Sequence, residues 1–431
     1  MSDERLEPSP NLALNEHILR RRQAGESVVH LGFGESQLPV PAFLADRLLV
    51  GAQRNAYGQI SGEQDCREAA AGYFTRRGIQ AEPEQIIFAP GSKPILLALM
   101  AALDGPVVLP RPCWVTYAPQ ARLFGRRVIS VPVPPESGGI PDPELLVEAI
   151  QRAKAAGEPP RSMVLTMPDN PTGTYPSADT VRRLAEIAEQ EDLLIISDEI
   201  YRDVVHDPAA DITSPMQFAP DRTVVTSGLS KSLSLGGWRI GFARFPATAA
   251  GLALRARILA IASEIWSSLA GPMQEVARYA LSEPAELVAH RQASTRLHAT
   301  LATAVYDVMI AAGAQCRRPT GGFYVYPDFE PMRAIYRQHG IEDSATLERH
   351  LLEHHGVAVL GGHHFGDDPS ALRFRAATSM LYGSDSDERW QTLGSSDPLA
   401  MPYLARDLET LREAFGVLGT APRTLQPARH G

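Results

Sequence analysis

The chain has 431 residues, of which 44% are hydrophobic and 21% charged, and its net charge is −9. That length exceeds one simple core and points to a large domain joined by a smaller one, with the composition of an ordinary soluble globular protein. The acidic balance gives no electrostatic reason to bind nucleic acid or anionic membrane, and no uninterrupted run of about 20 apolar residues exists to span a bilayer.

The opening segment, MSDERLEPSP, has no basic stretch followed by an apolar run, so a secretory signal is not expected. The three cysteines, Cys66, Cys113 and Cys316, are odd in number and far apart, without CxxC or Cys/His zinc spacing. They are expected to be reduced thiols of a cytoplasmic protein, with no metal site. Residues 1–45 are expected to pack with the smaller domain, and 46–285 to form the large one.

Within 46–285, six short apolar runs read as buried strands: VVLP (107–110), VISVPV (128–133), SMVLTMP (162–168), LLIISDE (193–199), RTVVTSG (222–228) and IGFARFP (240–246). Between them, 92–104, 143–156 and 178–191 carry helical periodicity. Strand–helix alternation predicts an α/β layer with a mainly parallel sheet sandwiched by helices. Residues 286–418 are expected to form the smaller α+β domain. It begins with one long helix over 285–312, then FYVYPDF (323–329), a helix over 344–355, LRFRAA (372–377) and a helix over 402–417. The stretch 383–401, rich in Ser, Asp, Gly and Pro, reads as a long surface loop. The segment 419–431 reads as a disordered tail.

Chemistry-bearing motifs sit at the strand ends. APGSKP (89–94) leads into an apolar helix, so Gly91, Ser92 and Lys93 present backbone amides where an anion binds readily. PRPCWVTY (110–117) places Trp114, a flat stacking surface, after a strand. DNPTG (169–173) places Asn170 beside a turn forced by Pro171 and Gly173. SDEIY (197–201) ends a buried strand on Asp198, costly unless paired, with Tyr201 three residues on. SGLSKSLSLGGWRIG (227–241) puts Lys231 among serines and glycines with Arg239 eight positions later. Taken singly, each has an ordinary structural explanation: an exposed lysine in a loop, a helix cap, a core tryptophan. Taken together they lie at successive βα junctions, and ligands bind at the carboxyl ends of such strands.

A lysine to attack an aldehyde, an arginine to grip a phosphate, a carboxylate for a ring nitrogen and a stacking indole are what pyridoxal 5′-phosphate (PLP) demands. From about residue 28 to about 380 the chain resembles the class I/II aminotransferases, PLP-dependent enzymes of fold type I. The resemblance implies a PLP-dependent aminotransferase acting on an L-amino acid and a 2-oxo acid. Lys231 then forms the Schiff base and Arg239 holds the phosphate with Gly91, Ser92, Lys93 and Ser230. Asp198 pairs with the ring nitrogen, Tyr201 and Asn170 reach the phenolic oxygen, and Trp114 stacks on the ring.

Three further roles follow from the resemblance. In LGFGESQLPVP (31–41), Gly34 lies near the substrate carboxylate. In YGQISGEQDCREA (57–69), Tyr57 reaches the cofactor phosphate of the neighbouring subunit, which implies a homodimer. In LRFRAA, Arg373 clamps the substrate α-carboxylate together with Asn170.

This sequence also departs from the family's pattern. Gly228 stands where a serine is usual, with Ser227 or Ser230 to compensate; ESQL (35–38) replaces EPDF; GGHHFG (361–366) has Gly361 for proline and adds His363 and His364; Arg375 replaces a small polar residue. No arginine for a distal carboxylate is evident, and ASEIWSS (262–268) offers Glu264 and Trp266 instead, with Glu264 open to a cationic substrate. These departures leave a second reading: a PLP enzyme that performs elimination, replacement, ring-forming or oxidative chemistry on an amino acid or S-adenosylmethionine, as the related ACC synthases do. A PLP-binding regulator fused to a helix-turn-helix domain is not expected, because the stretch before the resemblance is short and acidic.

Overall fold

The computed structural model of the chain describes residues 8–420. Nearly all of the tail expected to be disordered, from 421 onward, lies outside them. The strands are β1 (Val29–His30), β2 (Ile86–Pro90), β3 (Val107–Arg111), β4 (Val128–Pro132), β5 (Ser162–Thr166), β6 (Leu194–Asp198), β7 (Thr223–Gly228), β8 (Ile240–Arg244), β9 (Tyr324–Val325), β10 (Val357–Ala358), β11 (Leu360–Gly361) and β12 (Phe374–Ala377).

Seven of them form the main sheet in the order β2-β8-β7-β6-β5-β3-β4. The five from β3 to β7 pair in parallel. β8 runs against both of its neighbours, β7 and β2. β2 therefore points the same way as the parallel strands. The carboxyl ends of β2, β3, β5, β6 and β7 and the amino end of β8 consequently share one edge. All six apolar runs of the sequence are strands of this sheet. The seventh, β2, was not foreseen, because its run IIFAP merges into the glycine motif that follows it.

Side chains alternate across the sheet. Val164 and Ile196 face one apolar layer with Ile95, Leu99 and Ile258, while Met163, Leu165 and Ile195 face another with Val181 and Leu184. Helix Ala178–Gln190 is capped by Ser177, whose side chain accepts from Thr180 N, and its buried stripe is Val181, Leu184, Ala185, Ile187 and Ala188. Helix Pro143–Ala155 is capped likewise by Asp142.

A separate core joins Val29 and Leu31 to residues beyond 296, including Leu297, Val305, Phe329, Phe374 and Phe415. Its frame is the 27-residue helix Ala285–Ala311, helices Ser344–His355 and Pro402–Leu418, and the antiparallel sheet β11-β12-β9. β1 pairs in parallel with β10, which ties the N-terminal segment to this core. The stretch 383–401 is not one loop: it contains helix Ser386–Gly394, which Asp385 starts by accepting from Glu388 N. Its many Ser and Asp residues are start signals for a helix as well as loop formers. The three cysteines are free thiols, and no described helix is long and apolar enough to cross a membrane.

Candidate active site

The shared edge of the sheet opens on a cavity of about 290 Å³. Gly34, Ser92, Lys93, Trp114, Asn170, Asp198, Tyr201, Ser230, Lys231 and Arg239, all singled out in the sequence, line it. Topology explains the convergence. Each except Gly34, which follows β1, follows or ends a strand on that edge, and Arg239 joins them because β8 runs backwards, so its residue just before the strand meets the loop just after β2.

At one end of the cavity, Gly91 caps helix Ser92–Ala102 with φ +88°, a conformation glycine adopts freely, and the first amides of the helix are left without intrahelical partners. A side chain at 91 would bring its Cβ within 2.2 Å of Arg239 Nη2, so glycine is what admits the guanidinium. Arg239 holds φ +56°, rare for a residue with a side chain, and Nη1 donates to Gly236 O at 2.9 Å. Lys93 Nζ stands 5.3 Å from the centre of the Trp114 ring, and burial and Arg239 lower its proton affinity.

Asp198 lies on the floor, 2% exposed. Tyr117 Oη donates to its Oδ2 at 2.7 Å and Thr226 Oγ1 to its Oδ1 at 3.2 Å. Burial pushes its pKa up to about 6 against those hydrogen bonds, and no cation among the described residues pairs with it. Lys231 Nζ donates to Gly34 O at 2.5 Å. Burial, helped by Arg375, Arg239 and Lys93, lowers its pKa to about 8, while Glu35 opposes the shift. Tyr201 Oη shares a 2.5 Å hydrogen bond with Tyr324 Oη.

Three of the residues raised by the sequence are elsewhere. Arg373 lies in a different cleft: its Nε donates to Asp328 at 2.8 Å and its Nη1 reaches Asp367 at 3.3 Å. Those carboxylates raise its proton affinity and occupy the guanidinium, so the expected carboxylate clamp does not hold for Arg373. Arg375, two residues on and within β12, enters the cavity instead, where it is 1% exposed. Its Nη1 donates to Asn170 Oδ1 at 3.1 Å and its Nη2 to Gly32 O at 2.7 Å, while Nε is buried without a partner. Tyr57 is 92% exposed and does not line this cavity. Glu264 is exposed at the end of helix Ala249–Ile265 and does not line the cavity either; besides Asp198, the carboxylate that does is Glu35.

Sequence reasoning missed Tyr117, Thr166, Glu35 and Tyr324 as lining residues. A signal existed for Tyr117, three residues after Trp114 in the same motif. None existed for Tyr324, which arrives from the second core.

The chain matches the family described as "Aminotransferase class I and II" over residues 27–380. It is 32% identical to a probable aspartate/prephenate aminotransferase of Thermus aquaticus, over 84% of this chain and 90% of that protein. It is also 32% identical to an arginine–pyruvate transaminase of Pseudomonas aeruginosa, over 83% of this chain and 87% of that protein. Among solved structures, the aspartate aminotransferase of Thermus thermophilus with maleate superposes with a TM-score of 0.80 at 26% identity, covering 95% of this chain and 97% of that one.

Proposed function

The chain belongs to the class I and II aminotransferase family, PLP-dependent enzymes that transfer nitrogenous groups, and from that premise we propose that Lys231 forms the covalent link to PLP and moves the proton in transamination. The observation that carries this reading is the charge pattern of the cavity. Lys93, Lys231, Arg239 and Arg375 converge there, and the carboxylates that face them are Glu35 and the buried Asp198. Like charges gathered in one cavity, with Arg375 fully buried among them, persist where an anion completes the site.

The residues fit PLP. The amides after Gly91, with Ser92, Lys93, Ser230 and Arg239, make a phosphate cradle of backbone donors, hydroxyls and cations. Asp198, without a cation of its own, matches a protonated ring nitrogen. The Trp114 indole offers a face for the ring. When bound, PLP supplies an aldehyde carbon that accepts an amine and a ring that takes up the charge left when a neighbouring carbon loses a proton.

The chain's own groups do the rest. Lys231 Nζ, with its pKa near 8, holds a substantial neutral fraction near neutral pH, as a nucleophile and a base both require. Arg375 binds the α-carboxylate of the amino acid, its unpartnered Nε and fork of donors matching two oxygens. Asn170, whose Oδ1 is taken by Arg375, keeps its Nδ2 free to donate into the cavity. Tyr201 donates beside it. Residues 46–285 carry the cofactor groups, while 1–45 and 286–418 carry the second core and Arg375. The free cysteines fit a reducing, cytoplasmic setting. The exposed Tyr57 fits a homodimer in which it reaches the neighbouring site.

The test is covalent capture of PLP by cofactor-stripped protein, followed by a panel of amino donors. Protonated amine does not attack, so the capture rate should climb as pH rises toward about 8 and level above it. Lys231→Ala should capture none, and an effective donor should release one 2-oxo acid per site. Capture that persists in Lys231→Ala, or no oxo acid from any donor, would sink the proposal.

A further inference from the structure

Helix Ser344–His355 packs against the turn 362–365 that follows β11. Ser344 and Glu348 lie one helical turn apart, so both face that turn. Ser344 Oγ bonds His363 Nδ1 at 2.8 Å and donates to Pro369 O at 3.2 Å. Glu348 Oε2 accepts from Gly361 N at 2.6 Å and lies 3.3 Å from His364 Nε2. The two imidazole rings sit with centroids 3.9 Å apart.

From this arrangement we propose that Glu348, His363 and His364 form a site for a divalent transition ion of the zinc class. One ligand atom from each lies within 4.8 Å of the other two. Two imidazoles and one carboxylate are a donor set zinc takes readily. The 3.3 Å between Glu348 and His364 is long for a charge-assisted hydrogen bond. It matches instead the edge of a tetrahedron around an ion with bonds of about 2.0–2.1 Å, roughly 3.3–3.4 Å. Ser344 orients the His363 ring as an outer partner does around a metal. Glu348 has no Lys or Arg partner among the described residues.

Gly361 is part of the same construction. A Cβ there would fall 2.7 Å from the His363 ring and 2.9 Å from Glu348 Oε2. Proline, which the family pattern has at this position, would also remove the N–H that Glu348 accepts. The site joins helix 344–355 to Phe365, whose ring lies 5.0 Å from the Arg375 guanidinium and whose carbonyl accepts from Cys113 N at 3.1 Å. An ion here therefore ties the second core to the wall behind the cavity.

The test titrates chelator-treated holoenzyme with Zn²⁺ by calorimetry and with Co²⁺ by visible absorption. One equivalent per chain, strong tetrahedral Co²⁺ bands and a raised Tm are expected. His364→Asn and the near-isosteric Glu348→Gln should each weaken Zn²⁺ at least about a hundredfold while keeping the metal-free Tm. The neighbouring histidines on the same helix, His350 and His354, whose rings are 4.4 Å apart, serve as the control. Replacing both with Asn should leave affinity unchanged. Absence of saturable binding, binding that survives both Glu348→Gln and His364→Asn, or loss in the His350/His354 variant would overturn the assignment.

Discussion

A guanidinium that is 1% exposed, with two acceptors and no carboxylate partner among the described residues, keeps its charge at a cost in desolvation. Burial lowers the proton affinity of Arg375 below its ordinary value, and the nearby tyrosines offset this only in part. In the proposed reading an amino acid carboxylate relieves that cost. Arg375→Lys is expected to raise KM for the amino donor about a hundredfold, the loss of a two-pronged charge-assisted pair, measured by steady-state kinetics. Arg373→Lys should leave that KM nearly unchanged, because Arg373 spends its donors on Asp328 and Asp367. The opposite ranking would return the clamp to Arg373.

The turn after β5 shows how an element is held in place by another. Gly173 has φ +69°, and a Cβ there would come within 2.2 Å of Tyr324 O. Thr320 N and Gly321 N both donate to Gly173 O, at 2.8 and 3.0 Å. The Asn170 turn and the Tyr324 strand are therefore locked backbone to backbone. Gly173→Ala combines a strained φ with a backbone clash, and should cost about 2–3 kcal/mol. A lowered Tm by calorimetry is the expected result, with weaker donor binding because Asn170 and Arg375 lose their register. An unchanged Tm would mean that the turn relaxes independently of Tyr324.

At the scale of the whole molecule, two cores meet across the cavity: the sheet supplies the cofactor groups, and the C-terminal core supplies Arg375 and Tyr324. The helix Ala42–Gly51 leaves Leu49 and Val50 exposed at 72% and 60%, and Tyr57 follows at 92%. Large exposed apolar residues this close together mark a surface that associates. Sedimentation of the 46.8-kDa chain is expected to show a dimer, and Tyr57→Ala to weaken PLP binding at least about tenfold without changing that dimer. A monomer with full PLP affinity would place Tyr57 outside the site.

The sequence by itself determined whatever depends on neighbours along the chain. Buried strands are apolar throughout, so six of seven in the main sheet were legible, and the proposed cofactor residues of that sheet adjoin strand ends with their own local markers. The helix Ser386–Gly394 was hidden because the same Ser and Asp residues start helices and fill loops. Only the tertiary structure decided between Arg373 and Arg375. Their chain environment is nearly identical, and strand alternation alone puts residues two apart on the same face. Arg373 bridges Asp328 in the register of β12 with β9, and its guanidinium turns to Asp328 and Asp367, while Arg375 faces the cavity. Which arginine is left without a carboxylate partner among the described residues rests on where Asp328 and Asp367 lie, and that is settled only when distant segments pack together.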